Sequence, residues 1–137
     1  MNNYHASIWL KKSENKYIGV YLHLFPEMYH CGYILLTEYT NKAKVEELLS
    51  FGDIYELREC INETDSNSKY NTIFYHRDKG DRKKIFTTNS EQATNKFEYS
   101  YLFKNNKWYI CLKEDYQELS IELIEDEIES PIIFKKY

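Results

Sequence analysis

The stretch that decides the fold is Phe-Glu-Tyr-Ser-Tyr-Leu-Phe-Lys at residues 97–104, then Asn105-Asn106, then Lys-Trp-Tyr-Ile-Cys-Leu at residues 107–112. Both runs are rich in aromatic side chains, which favour β-strands. The two asparagines tolerate the positive φ that a two-residue hairpin turn demands. The sequence therefore predicts an antiparallel β-hairpin here.

The amino-terminal region repeats this pattern. Residues 16–25 alternate apolar and polar side chains, and together with residues 4–10 they predict a second hairpin that ends at Pro26. Three further strands are predicted, at residues 72–76, 84–87 and, as an edge strand, 132–134.

Helical spacing of apolar residues predicts three longer helices, at residues 31–40, 42–51 and 115–129. Asn41 is placed to cap the second of them and Gly52 to end it. A short turn over residues 54–60, capped by Asp53, and a short helix starting at Asn89 or Ser90 complete the prediction.

These elements predict one α+β domain over residues 1–137: an antiparallel sheet of hairpins with two or three helices packed on one face. A chain of 137 residues with 42% hydrophobic residues is long enough to build such a core. We find no apolar run long enough for a transmembrane helix and expect no signal peptide.

Sequence motifs of common enzyme classes are missing from the chain. It contains no Walker A, dinucleotide-binding, nucleophile-elbow or HExxH motif, so we expect no enzymatic activity. His76 and Asp78 could form a hydrolytic pair, but a turn stabilised by Arg77 and Asp78 is the simpler interpretation. Cys31, Cys60 and Cys111 lack metal-ligand spacing, so we expect no metal and no cofactor.

The charge is distributed unevenly along the chain. The formal net charge is −4, yet residues 1–113 carry +2 and residues 114–137 carry −6. A helix with such an acidic face could bind a basic protein surface and mimic spaced phosphates. The predicted partner-binding residues are Glu114, Asp115, Tyr116, Glu118, Glu122, Glu125, Asp126 and Glu129. An ordinary amphipathic helix with an acidic outer face is the alternative.

A second segment favours a different ligand. Cations and aromatic rings alternate over residues 69–86, which are the ingredients of a binding site for RNA or single-stranded DNA. The predicted nucleic-acid-binding residues are Lys69, Tyr70, Arg77, Lys79, Arg82, Lys83 and Lys84. The acidity of the whole chain opposes this interpretation.

Three segments carry a resemblance to a known family. They are Gly-Tyr-Ile-Leu-Leu at residues 32–36 with the helix and Gly-Asp that follow, Tyr-His-Arg-Asp-Lys-Gly-Asp at residues 75–81, and the hairpin at residues 101–109. Together they resemble a family of small, largely uncharacterised phage and prophage proteins of low-GC bacteria, over about residues 16–124. Where that family has Asp-Gly-Tyr-Pro, this chain has Leu24-Phe25-Pro26-Glu27.

The resemblance implies an origin in a mobile element. Small phage proteins without an enzyme signature often bind host proteins, including defence nucleases. We therefore expect a stoichiometric, anti-CRISPR-like inhibitor that acts in the host bacterial cytoplasm. Its expected partner is a host protein such as a CRISPR effector nuclease or its guide-RNA complex, and no membrane is involved.

Overall fold

A computed structural model describes residues 5–62, 68–112 and 114–129. Within these residues the strands are Ala6–Ser13 (β1), Lys16–Leu24 (β2), Ile54–Glu56 (β3), Ile73–Phe74 (β4), Phe86–Thr88 (β5), Tyr99–Lys104 (β6), Lys107–Leu112 (β7) and Asp115–Glu118 (β8). The α-helices are Tyr33–Glu38 (α1), Lys42–Leu49 (α2), Tyr75–Lys79 (α3) and Ile121–Glu129 (α4). A π-helical turn, Met28–Gly32, leads directly into α1.

The strands form one mixed sheet in the order β4-β3-β2-β1-β6-β7-β8, and β5 pairs with the first half of β2. Most neighbours are antiparallel, but β1–β6 and β2–β3 are parallel. The α+β class is thus confirmed. The two parallel pairings join segments that are distant in sequence, so alternation within each strand does not reveal them.

One face of the sheet carries the main hydrophobic core. Along β1, Ala6, Ile8 and Leu10 point to this face and are fully buried. The helices cover it with apolar side chains from the π-turn, α1, α2 and α4: Met28, Leu35, Val45, Leu48, Leu49 and Ile124. Trp108 on β7 donates from Nε1 to the Tyr39 carbonyl at 2.8 Å, which ties the end of α1 to the sheet.

The opposite face holds a smaller cluster around Trp9, Tyr17 and Leu102. The Trp9 ring lies over Gly19, its partner across the β1–β2 ladder. A Cβ at Gly19 would lie 2.3 Å from Trp9 Cδ2, so only glycine fits beneath this ring. Phe86 of β5 stacks on Tyr21 with ring centroids 4.2 Å apart and extends the cover of this face.

Several local predictions are confirmed. Both hairpins form, and Asn105 and Asn106 adopt φ of 52° and 63° at the turn. The Asn41 side chain accepts from the Lys44 N–H and caps α2, and Gly52 follows that helix with φ of 83°. The short helix near Ser90 is a 3₁₀ turn, Gln92–Thr94, whose first residues are held by a hydrogen bond from Ala93 N to Ser90 Oγ.

Three predicted elements are wrong in type or extent. The helix predicted for residues 115–129 is divided into strand β8 and helix α4, because residues 115–118 pair with β7. Residues 54–56 form a strand rather than a capped turn, and Asp53 instead accepts from the Tyr21 N–H at 2.9 Å. The strand predicted at residues 72–76 is only two residues long and runs into α3. The strand predicted at residues 132–134 lies outside the described residues.

Candidate interaction surfaces

The predicted acidic residues occupy two elements, the edge strand β8 and the helix α4, which packs on the helix-covered face of the sheet. Asp115 and Glu118 lie on β8, the last strand in the sheet order. Leu119 N donates to the Trp108 carbonyl at 2.9 Å and ends the strand ladder, after which Ser120 Oγ accepts from Leu123 N at 3.1 Å. Ser120 therefore caps α4, which carries Glu122, Glu125 and Asp126.

Five of these carboxylates are exposed, two at the start of β8 and three on α4, and we call them together the acidic surface. Within the described part of the chain, no basic side chain lies within 4.0 Å of them: Glu114, Asp115, Glu122, Glu125 and Asp126. Glu118 differs, since Lys107 Nζ lies 3.6 Å from its carboxylate. The row of acidic residues expected along a single helix face is therefore interrupted. The side chain of Glu129 lies outside the described set.

Tyr116 is less exposed than an interface anchor would be. Its ring packs against the Trp9 cluster, and its hydroxyl lies 2.7 Å from Thr94 Oγ1. Burial raises the pKa of Tyr116 well above its usual value. The tyrosine instead lines a concave polar pocket of about 490 Å³, together with Glu91, Gln92, Asn95, Glu114 and Asp115. The acidic surface thus includes a depression as well as a helix face.

One acidic residue in this segment, Glu127, faces inward and has a structural role. It is 4% exposed, and its carboxylate accepts from Tyr29 N at 3.2 Å and from the Tyr99 hydroxyl at 3.1 Å. Burial raises the pKa of Glu127, although these hydrogen bonds lower it in part. Glu127 therefore holds α4 against the start of the π-turn, where unpaired N–H groups favour an anion.

The π-turn and the residues on either side of it expose aromatic side chains that the sequence interpretation did not assign to a binding site. Phe25, Tyr29 and Tyr33 are 49%, 52% and 49% exposed, and we call them the aromatic patch. Phe25 also adopts a φ of 56°, a strained conformation for a large side chain. The signal in the sequence was Tyr29 and Tyr33 at i and i+4, on the side away from the apolar stripe of α1.

The aromatic patch borders acidic groups. Tyr29 is joined to α4 through Glu127, and Ile128, the next residue of α4, is 57% exposed. The nearby carboxylate of Glu27, together with some burial and Glu127, raises the pKa of Tyr29. Exposed apolar area and negative charge therefore lie on neighbouring elements, the π-turn and α4.

Arg77, one of the predicted nucleic-acid-binding residues, uses its guanidinium group for hydrogen bonds and an ion pair within the fold. It donates to the carbonyls of Ile61 and Thr72 at 2.8 and 2.9 Å and pairs with Asp78 at 3.0 Å. Burial alone would raise the pKa of Asp78, but hydrogen bonds from Arg77 and from Phe74 N outweigh it and lower the pKa. Arg77 is therefore a structural residue of the α3 turn.

The remaining predicted cations are exposed: Lys69, Lys79, Arg82, Lys83 and Lys84. Lys69 Nζ lies 5.0 Å above the ring of Tyr70. Lys79 Nζ lies 4.1 Å above Tyr55, a residue the sequence interpretation missed. Tyr55 packs edge-on against His23 and Tyr75, and His23 Nδ1 lies 2.7 Å from the Tyr75 hydroxyl.

His76 and Asp78 make separate contacts. His76 Nδ1 lies 2.8 Å from the Asp81 carbonyl, whereas Asp78 accepts from Phe74 N at 2.8 Å. The described ranges contain no cluster of three or more His, Cys, Asp or Glu side chains arranged to hold a metal ion. No helix within them is long and apolar enough to cross a bilayer.

Comparison of the chain with protein-family models, curated proteins and solved structures finds no match.

Proposed function

We propose that the chain is a stoichiometric binding protein whose acidic surface docks on a cationic surface of a host protein. The observation that carries this proposal is the exposure of Glu114, Asp115, Glu122, Glu125 and Asp126 without an ion pair to any described basic side chain. Such a charge excess speeds encounter with a positively charged partner and repels negatively charged ones.

The aromatic patch supports the same conclusion. Charged rims contribute little net affinity on their own, whereas aromatic anchors carry much of the energy of protein interfaces. Tyr29 projects from the π-turn that α4 packs against, and Tyr33 is the first residue of α1, which follows it directly. Phe25 is held in a strained backbone conformation, and such strain often marks functional positions.

We propose that the pocket beside Tyr116 accommodates one cationic group of the partner. Glu114 and Asp115 line it directly, and Glu91 contributes a third carboxylate, which also pairs with Lys104 at 2.8 Å. A lysine or arginine side chain of the partner fits this combination of concavity and charge. The proposed contact is therefore a lysine- or arginine-bearing groove flanked by apolar residues.

The target that we propose is the nucleic-acid channel of a bacterial defence nuclease, with CRISPR effectors as the leading class. Such channels are lined with cations that contact phosphates. The resemblance to phage and prophage proteins supports this choice of target, and we propose that the chain acts in the host bacterial cytoplasm. Mimicry of phosphates by carboxylates requires no catalytic group, so we propose no enzymatic activity.

The test is a cleavage assay with purified guide-RNA-loaded CRISPR effectors from low-GC bacteria. The full chain is titrated against each effector while cleavage of a matched target DNA is measured. We expect inhibition of at least one effector that is complete near one molecule of chain per effector. Undiminished cleavage across the panel, at a tenfold excess of chain, would contradict the proposed target.

A further inference from the structure

We propose that residues 79–84 and Tyr55 form a binding site for single-stranded nucleic acid, on a different surface from α4. We call residues 79–84 the basic loop. Tyr55 and His23 lie on the face of the sheet opposite the helices, near the β3–β4 edge, whereas β8 is the other edge strand and α4 packs on the helix-covered face. The inference does not depend on the proposed function.

The backbone of the basic loop is fixed, which places its cations in a defined position. Asp53 N donates to the Lys84 carbonyl at 3.1 Å, and Asp81 N donates to the Tyr75 carbonyl at 3.0 Å. The loop also passes close to Gly52, where a Cβ would lie 2.9 Å from Lys83 Cγ. The loop is therefore held at both ends while its long side chains stay in solvent.

The charge of the basic loop is not neutralised by the rest of the fold. Among the residues that the structure describes, no carboxylate lies within 4.0 Å of the side-chain nitrogens of Lys79, Arg82, Lys83 or Lys84. The acidic residues close in sequence are Asp78, which pairs with Arg77, and Asp81, which is exposed. Four cations against Asp81 and the buried Asp53, whose N–H donates to the Lys84 carbonyl, leave a net positive surface that attracts phosphates.

The aromatic component distinguishes this site from a plain basic patch. Lys79 covers the ring of Tyr55, while His23 and Tyr75 fix that ring from the side. A nucleobase that stacks on Tyr55 would displace the Lys79 ammonium, which would then pair with a phosphate. Only an unpaired base offers its face in this way, so the ligand is a single strand rather than a duplex.

The experiment is fluorescence anisotropy of a labelled twelve-nucleotide RNA, and of DNA of the same sequence, titrated with the full chain. We expect binding at 50 mM NaCl that weakens about 20-fold at 200 mM, the effect of roughly three phosphate contacts. Substitution of Arg82, Lys83 and Lys84 by Gln should weaken binding tenfold or more. The RNA and DNA arms show whether the 2′-hydroxyl contributes.

Matched controls separate this site from the general effect of charge. Lys16→Gln, Lys42→Gln and Lys96→Gln combined remove the same charge from exposed positions elsewhere and should leave the affinity almost unchanged. Tyr55→Leu should weaken binding without changing its salt dependence, since stacking releases no counterions. Absence of binding at 50 mM NaCl, or an equal loss in the two triple variants, would overturn the proposal.

Discussion

At the scale of single residues, the strongest constraint on the fold is the fit between Trp9 and Gly19. Trp9 is fully buried, and its ring occupies the space that any side chain at Gly19 would need. The alternation in β2 reveals the strand but not this contact, because the partner of each residue depends on the register with β1. A glycine inside an aromatic-rich strand was the only signal in the sequence.

We predict that Gly19→Ala destabilises the fold by about 1–3 kcal/mol, because the added methyl group overpacks the site under Trp9. Urea denaturation measures the change. Trp9→Leu vacates that space. In the double variant the decrease in the free energy of unfolding should therefore be smaller, by about 1 kcal/mol, than the sum of the decreases in the two single variants. Additive losses would show that the two residues do not compete for the same volume.

Glu127 shows that an acidic residue in an acidic segment can be part of the core. The sequence assigns it to no surface, and its neighbours Asp126 and Ile128 are both exposed. What distinguishes it is a contact with Tyr29 and Tyr99, from two elements that are distant in sequence. Only the tertiary structure could have revealed this role.

We predict a pH dependence from Glu127. Its pKa is raised by folding above its ordinary value of 4.5, so the folded chain binds the proton more tightly than the unfolded chain. The resulting stabilisation is complete below about pH 4.5 and is lost as the pH rises through the folded-state pKa. The Gln side chain of Glu127→Gln stays neutral at every pH. As the pH rises through the folded-state pKa, the free energy of unfolding of the wild type should therefore fall relative to that of Glu127→Gln.

Urea denaturation at several pH values from 4 to 7 checks this prediction. Glu122→Gln, an exposed change on the same helix, is the control. A free-energy difference between the wild type and Glu127→Gln that stays constant over this range, or that increases in favour of the wild type, would contradict the account of Glu127.

At the scale of secondary-structure elements, local signals identified the hairpins and the capped helix α2. They failed where pairing with another strand decides the conformation. Tyr116, Leu119 and Leu123 have helical spacing, yet residues 115–118 form strand β8 because β7 offers them an unpaired edge. For the same reason β3, with three residues, was missed: its parallel pairing with β2 leaves no local pattern.

Ser120 lies between β8 and α4, and its side chain caps the start of α4. We predict that Ser120→Ala lowers the free energy of unfolding by about 1 kcal/mol, because the Leu123 N–H loses its acceptor. Ser120→Asp retains a capping oxygen and should stay close to the wild type. Denaturation curves of the two variants measure the difference, and equal losses would show that the cap contributes nothing.

At the scale of the whole molecule, the acidic and basic segments of the sequence lie on different elements of the fold. The acidic surface lies on the edge strand β8 and on α4, and the basic loop connects α3 to β5, which pairs with β2. Strand spacing of about 4.8 Å places β3, which carries Tyr55, about 24 Å from β8. The sequence predicted the asymmetry itself, but the division of the acidic residues between a strand and a helix required the fold.

The sequence predicted the charge of the candidate site but not the arrangement of its residues. Six of the predicted carboxylates are exposed, but one of them, Glu118, pairs with Lys107, and Tyr116 is packed against the Trp9 cluster. The aromatic patch and Tyr55 were missed because their exposure depends on which faces the packed elements cover. Composition alone could not separate these tyrosines from the others.

The central claim is that the acidic surface binds a cationic partner, and its most direct test compares two neutralised variants in the effector cleavage assay. Glu122→Gln, Glu125→Gln and Asp126→Asn combined should weaken inhibition roughly 3- to 150-fold, since each lost ion pair contributes about 0.2–1 kcal/mol. Glu14→Gln, Glu47→Gln and Glu59→Gln combined change the net charge equally, at exposed positions elsewhere, and should inhibit almost as well as the wild type. Equal inhibition by the two variants would contradict the claim.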